Sequence, residues 1–121
     1  MNLDIVSLRP FIGSKDFEVS KSFYKALGFT ESTISKDMSR FYLDQFSFYL
    51  QDAFVEAWNH NTMLFIEVKD VEECHKELTK LELDKKYGVK VTAIKNDSWG
   101  RECFVLDPSG VLLHFGEFVK K

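Results

Sequence analysis

Apolar and polar residues follow the same pattern in the two halves of the chain. In the first half, Val19, Phe23 and Leu27 recur at the spacing of one helix face, and a glycine follows. In the second half, Val71, Leu78 and other apolar residues form a similar stripe among charged residues. The two stripes predict helices over 17–27 and 71–83.

The segments around these helices are rich in β-branched and aromatic residues separated by turn signals, which is typical of strands. We predict strands over 3–11, 29–36, 38–43, 46–51, 62–68, 89–95, 101–106 and 111–118. Each half therefore reads β-α-β-β-β. Runs of strands around single helices indicate an α+β fold and not a doubly wound sheet.

The two halves are related by an internal repeat. A shift of 54 positions (70 − 16) places residues 11–18 on residues 65–72, where Phe, Ile, Lys, Asp and Glu coincide. In both copies the Asp, Asp16 or Asp70, is positioned to cap the helix that follows. We therefore predict paired βαβββ modules forming an incomplete eight-stranded barrel around a cleft.

A single domain over 1–121 accommodates both copies. Its expected parts are module one at about 1–52, a linker at about 53–61 and module two at about 62–121. Phe54 and Trp58 are large apolar residues in the linker, which suits a lid, a dimer contact or a short helix on the sheet edge.

Composition narrows the class of partner. The chain has 121 residues, 45% hydrophobic and 15% aromatic, enough for one substantial core. Its net charge of -3 and its scattered Lys and Arg exclude nucleic acid as a partner. No apolar run approaches the roughly 20 residues of a membrane helix. No signal peptide is visible at the N-terminus, so we expect a cytoplasmic protein in which Cys74 and Cys103 are reduced packing thiols.

Two segments carry a resemblance to a known superfamily. Residues 16–29 resemble the signature D-x-x-x-S-x-x-F-Y-x-x-L-G-F, and residues 99–110 are similar to W-G-x-x-x-F-x-x-D-P-x-G. Both belong to the vicinal-oxygen-chelate superfamily, the glyoxalase/bleomycin resistance protein/dioxygenase group, and the second is common in its bleomycin-resistance-like branch. The resemblance implies the predicted fold and a homodimer in which two chains complete each other's clefts.

In metal-using members of that superfamily, four inward-facing positions supply His, Gln or Glu ligands to one divalent ion. Counting from the helix caps and the turn glycine, the equivalent positions here are Arg9, Tyr49, Met63 and His114. A guanidinium donates no lone pair, a thioether is a soft ligand, and a phenol binds metal only when ionised. We therefore expect neither a metal nor another cofactor at this location.

Strand alternation and the resemblance together select the side chains expected to line the cleft. They are Arg9, Phe11, Tyr49, Met63, Phe65, Trp99, Arg101 and His114. Leu8 and Pro10 are expected on the opposite face, beneath the helix. Two alternatives stay open: Arg9 can pair with Glu67, and His114 can be a hydrogen-bonded structural imidazole.

This set predicts metal-independent binding of a small organic molecule that is neutral or anionic, because Arg9 attracts an anionic or carbonyl group. One alternative is a metal-dependent lyase or dioxygenase in which a register error hides ligands such as Glu67 or His60. A third hypothesis is an interaction module with a filled cleft.

Overall fold

The first half of the chain folds as the predicted β-α-β-β-β unit in the computed structural model, which describes residues 1–119. Its elements are β1 (Phe11–Gly13), α1 (Phe17–Ala26), β2 (Thr30–Ser35), β3 (Met38–Leu43) and β4 (Phe46–Gln51). The strand order is β1-β4-β3-β2, with β1 parallel to β4 and the other pairs antiparallel.

The second half repeats this arrangement after a short helix in the linker, α2 (Glu56–His60). Its elements are β5 (Met63–Glu67), α3 (Val71–Lys80), α4 (Leu83–Tyr87), β6 (Lys95–Asn96), β7 (Gly100–Leu106) and β8 (Leu112–Phe118). The strand order is β5-β8-β7-β6, equivalent to that of the first sheet. Within residues 1–119 the strands form two separate sheets and no closed barrel, which confirms the α+β class and the two modules.

Both helices begin where the repeat predicts. The side chain of Asp16 accepts a hydrogen bond from the Val19 N–H at 3.2 Å. Asp70 accepts from the N–H groups of Glu72 and Glu73 at 3.0 and 3.2 Å. These bonds satisfy backbone donors that a helix start otherwise leaves free. The Lys-Asp dipeptide that the repeat duplicates therefore fixes where each helix begins.

The core lies between each sheet and its helix. In module one, Ile12, Phe41 and Leu50 point from the sheet towards Phe23 and Tyr24 of α1, and all five are buried. Module two buries its own set, and the two sets form one continuous cluster. Because successive strand residues point to opposite faces, each sheet keeps a second face that no helix covers.

The predicted strand over 3–11 is wrong except at its last residue. Residues 1–10 form neither helix nor strand, and Leu8, expected beneath α1, is 89% exposed. Pro10 explains the difference: its carbonyl accepts from the Tyr49 N–H at 2.9 Å, but it has no N–H to continue the ladder. The parallel pairing with β4 therefore starts at Phe11.

Two elements of module two also differ from prediction. The segment 89–95 contributes an isolated bridge at Val91 and the start of β6, because Thr92 Oγ1 accepts from the Phe104 N–H in place of a regular ladder. The helix predicted over 71–83 ends at Lys80, and a second short helix, α4, begins at Leu83. The chain turns between them at Glu82, whose φ is 54°. No helix among residues 1–119 is long and apolar enough to span a membrane.

Candidate functional site

The predicted site residues lie mainly on the two uncovered sheet faces. In the first sheet Phe11 is paired with Tyr49, and in the second sheet Phe65 is paired with His114. Since Phe65 is the repeat equivalent of Phe11, His114 is the equivalent of Tyr49, as the sequence predicts. The eight residues nevertheless do not form one cluster. One group lies on the first sheet, a second group lies on the second sheet, and Arg101 belongs to neither.

The group on the first sheet combines an aromatic pair with a guanidinium. The rings of Phe11 and Tyr49 stack with their centroids 4.9 Å apart and their planes at 25°. Arg9 Nη1 donates to the Tyr49 hydroxyl at 3.1 Å. Arg9 thus bonds to a phenol where pairing with Glu67 was the alternative. The pair presents a cation and a hydroxyl beside an exposed aromatic surface.

The group on the second sheet is centred on His114. Its Nε2 lies 3.4 Å from Met63 Sδ, and its Nδ1 lies 2.9 Å from Glu102 Oε1. The Phe104 ring meets the imidazole edge-on, with centroids 4.8 Å apart. A carboxylate only accepts hydrogen bonds, so Nδ1 is the donor in the contact with Glu102.

Glu102 is the residue that the sequence reasoning missed. It lies on β7 opposite Gly116 of β8, and Phe104 lies opposite His114. Pairing the predicted strands 101–106 and 111–118 across their turn would have brought Glu102 to the same face as His114. The signal that could have identified Glu102 was the register of these two strands, which a sequence motif does not specify.

An aromatic cluster flanks His114 on the same face. The ring centroids of Phe65, Trp99 and Phe118 are separated by 5.4 to 5.9 Å. Gly116 lies beneath them, and a Cβ at that position would be 2.5 Å from the Phe65 ring. A glycine is therefore required for Phe65 to lie flat across β8. Phe65 is still 48% exposed, which leaves an apolar surface open to a ligand.

Arg101 lies on the other side of the second sheet, under α3. Its Nη1 is 2.8 Å from Glu72 Oε1 and its Nη2 is 2.9 Å from Glu117 Oε1. The Val71 N–H and then Arg101 lower the pKa of Glu117. Arg101 and Glu102 are neighbours on one strand, so they point to opposite faces. This corrects the expected cleft-lining orientation of Arg101: it anchors the start of α3.

A cavity of about 550 Å³ lies between the modules. Phe29, Leu43 and Phe46 line it from module one, and residues 65–69 line it from module two. Phe65 belongs both to this cavity and to the aromatic cluster beside His114. An apolar cavity of this size matches the small-molecule sites of other proteins.

The four positions expected to correspond to metal ligands hold an unsuitable donor set. Arg9 and Tyr49 bond to each other, and the thioether of Met63 lies against His114. Residues 1–119 contain no group of three His, Cys, Asp or Glu side chains that could hold a metal ion. His60, the alternative ligand, packs over Gly110 beside Glu56, outside both groups. This donor set does not fit a divalent ion.

Comparison with solved structures identifies the fold. The bleomycin-binding protein of bleomycin-producing Streptomyces verticillus, solved with copper(II)-bleomycin, is 23% identical with a TM-score of 0.77, covering 95% of this chain and 98% of that one. An antibiotic binding protein from a Streptomyces species is 21% identical with a TM-score of 0.75, covering 98% and 100%. Lactoylglutathione lyase from Agrobacterium tumefaciens is 14% identical with a TM-score of 0.70, covering 92% of each chain.

No protein-family model matches the sequence, and no curated protein matches it significantly. The fold is nevertheless that of the glyoxalase/bleomycin resistance protein/dioxygenase group. At the level of fold, the resemblance to the vicinal-oxygen-chelate superfamily is confirmed. The similar structures include antibiotic-binding proteins as well as an enzyme, so the fold leaves the function to be argued from the site.

Proposed function

We propose that this protein binds a small organic molecule without a metal ion, in a cleft between a module-one sheet and a module-two sheet. The observation that carries the proposal is the uncovered, aromatic face of the second sheet, with His114 as its polar centre. Small-molecule sites are mostly apolar with a few polar groups that fix orientation. Phe65, Trp99 and Met63 provide the apolar part of such a site.

The polar groups indicate the class of ligand. Arg9 is a permanent cation, and its bond to Tyr49 holds the guanidinium at the edge of the stacked rings. A carboxylate or carbonyl oxygen would accept from it, whereas a cationic ligand would be repelled. We therefore favour a neutral or anionic aromatic ligand, with Phe11 and Tyr49 contacting its rings.

A second copy of the chain would complete the site. The resemblance implies a homodimer, and the surface supports it. Leu3, Ile5, Val6 and Leu8 are all exposed in the segment before β1, and both aromatic faces are uncovered. Bringing the first sheet of one chain against the second sheet of its partner would place Arg9 and His114 in one cleft. Sedimentation of the full chain tests this, and a monomer at all concentrations would contradict it.

Ligand binding and metal analysis of the full chain test the proposal together. We expect neutral or anionic aromatic compounds to raise Tm and to change the fluorescence of Trp99, isolated by Trp58→Phe. Arg9→Ala and His114→Ala should weaken this binding, and His60→Gln is the matched control. Treatment with a chelator should change neither Tm nor affinity.

Two results would overturn the proposal. A stoichiometric divalent ion that is lost in His114→Ala would indicate the metal-dependent lyase or dioxygenase alternative. No thermal shift across a broad panel of metabolites would indicate an interaction module with a filled cleft.

A further inference from the structure

We propose that Arg9 and Arg40 together bind the phosphate group of an aromatic phosphate monoester. Arg9 already belongs to the candidate site, and Arg40 is a further specificity-determining residue on the same sheet face. The assignment rests on the proposed function, because it names the class of molecule that the same site binds.

Arg40 lies next to Tyr49 on the uncovered face of the first sheet. The strand order places β4 between β1 and β3, and Arg40 of β3 is the register partner of Tyr49. Arg9 lies before β1 and reaches Tyr49 from the other side, with Nη1 3.1 Å from the hydroxyl oxygen. Because directly paired residues point to the same face, the two arginines flank one tyrosine.

Neither of these two cations is neutralised by a carboxylate. The chain has three arginines, and Arg101 is bound to two carboxylates on the covered side of the second sheet. Among residues 1–119, Arg9 and Arg40 form no ion pair. They lie against aromatic rings, with Cζ of Arg40 4.8 Å from the Tyr42 centroid and Cζ of Arg9 6.0 Å from the Tyr49 centroid. A ring supports a guanidinium without cancelling its charge, so both remain available to an anionic group.

The strands of the first sheet contribute no carboxylate to this face. Glu31 is the one acid within β1 to β4, and its register partner is Phe41, which points into the core. On that covered side, Glu31 Oε1 binds Lys25 Nζ at 2.9 Å. The uncovered face of the second sheet differs, because it carries the carboxylate of Glu102. An anionic group is therefore attracted to the first sheet.

Hydroxyl groups lie on the same face as the two arginines. Tyr42 and Ser47 are register partners, two residues from Arg40 and Tyr49, so all four side chains point the same way. The Tyr49 oxygen accepts from Arg9, which leaves the Tyr49 O–H free to donate to a bound anion. The face therefore combines two guanidinium groups with neutral donors.

Charge and the number of acceptor oxygens favour a phosphate over a carboxylate. A carboxylate has one negative charge, and a single arginine can bind both of its oxygens. A phosphate monoester carries about −1.5 to −2 at neutral pH and presents three acceptor oxygens. Two unpaired guanidinium groups match this group better. Because the stacked rings of Phe11 and Tyr49 lie beside Arg9, we expect the phosphate to be attached to an aromatic ring.

Binding of three compounds to the full chain tests the assignment. Naphthyl phosphate, naphthyl sulfate and naphthol share one ring system and carry about two, one and no negative charges at about pH 8. In calorimetric titration, we expect the phosphate ester to bind at least about 10-fold more tightly than the sulfate ester, because its second charge engages the second guanidinium. Naphthol should bind more weakly than either ester.

Substitutions separate the role of Arg40 from a general effect of charge. Arg40→Gln should weaken binding of the phosphate ester by about 10-fold or more and leave binding of naphthol unchanged. Arg40→Lys keeps the charge but lacks the planar fork of donors, so it should recover only part of the affinity. Lys36→Gln is the matched control, because Lys36 is an exposed cation in the turn before β3 and its loss changes the net charge equally. It should bind the ester as the parent does. Thermal unfolding checks that each variant folds.

The outcomes distinguish the phosphate assignment from the proposed function. If all three compounds bind but the phosphate ester has no advantage over the sulfate ester, or if Arg40→Gln keeps that advantage, the phosphate assignment is wrong and the binding function stands. If inorganic phosphate displaces the ester at equal concentration, the site recognises free phosphate and the aromatic class is wrong. If none of the three compounds binds, the phosphate assignment fails, and the broad metabolite panel decides the binding function separately.

Discussion

Tyr24→Phe removes a buried hydrogen bond that joins α1 of module one to a carboxylate in the β7–β8 turn of module two. The Tyr24 hydroxyl donates to Asp107 Oδ2 at 2.6 Å, and the two residues are 1% and 3% exposed. Asp107 Oδ1 is already used by the N–H groups of Ser109 and Val111 at 2.8 and 2.9 Å. The substitution therefore leaves Oδ2 buried without its donor.

The expected loss follows from the charge of the acceptor. A hydrogen bond to a charged group contributes about 1.5–3 kcal/mol, and an unsatisfied buried partner costs a similar amount. For a domain of this length that corresponds to a fall in Tm of roughly 5–15 °C. Urea unfolding followed by circular dichroism gives the free energy of unfolding. Tyr42→Phe is the matched control, because it also removes a tyrosine hydroxyl and its ring lies against Arg40 on β3, away from Asp107.

The loss should also depend on pH. Burial raises the pKa of Asp107, and the bond from Tyr24 acts against that rise. Without it the folded pKa of Asp107 rises further. A carboxyl with a raised folded pKa gives its full stabilisation below the unfolded pKa and loses it as the pH rises through the folded pKa. The variant should therefore differ from the parent more at about pH 7 than at about pH 4. A loss below about 0.5 kcal/mol, or one independent of pH, would refute the reasoning.

Three further predictions concern separate parts of the molecule. Gly88→Ala should cost about 1–2 kcal/mol, because Gly88 has a left-handed φ. Gly110→Ala should destabilise the protein by more, because its Cβ would also lie 2.4 Å from the His60 ring. In chemical denaturation, adding His60→Ala should remove the extra loss of stability of Gly110→Ala. Arg101→Ala should lower Tm and leave ligand affinity unchanged. A loss of affinity would instead show that Arg101 belongs to the binding site. Burial raises the pKa of Cys74 to about 11, so a thiol reagent at neutral pH should label the folded chain far more slowly than the unfolded chain; rapid labelling of the native protein would contradict this.

The fold could be predicted from the sequence because both modules carry the same sequence pattern. Capping by Asp16 and Asp70 and the alternation around Phe65 gave the helices, the sheet faces and the equivalence of Tyr49 and His114. The segment before Pro10 misled the prediction because its apolar residues look like a strand. Strand formation also needs a donor at each paired position, and Pro10 lacks one.

The site was less accessible than the fold. Arg101 was assigned to the cleft from a motif, and the ion pairs that hold it beneath α3 involve residues distant in sequence. Glu102 was overlooked because its role depends on the register of two strands. Propensities and motifs do not specify which residues of two strands meet, and a shift of one position exchanges the faces.

The two hairpin turns have different lengths, and this makes the modules non-interchangeable. Leu43 pairs with Phe46 across two residues, whereas Leu106 pairs with Leu112 across five. The longer turn holds Asp107 and also Ser109, whose Oγ accepts from the Lys15 N–H at 2.8 Å. A tandem of two first modules would keep both sheets but would lack the hydrogen bonds that this turn makes between the modules. The two modules thus share one architecture but are not equivalent. Only module two carries the long turn that binds the other module.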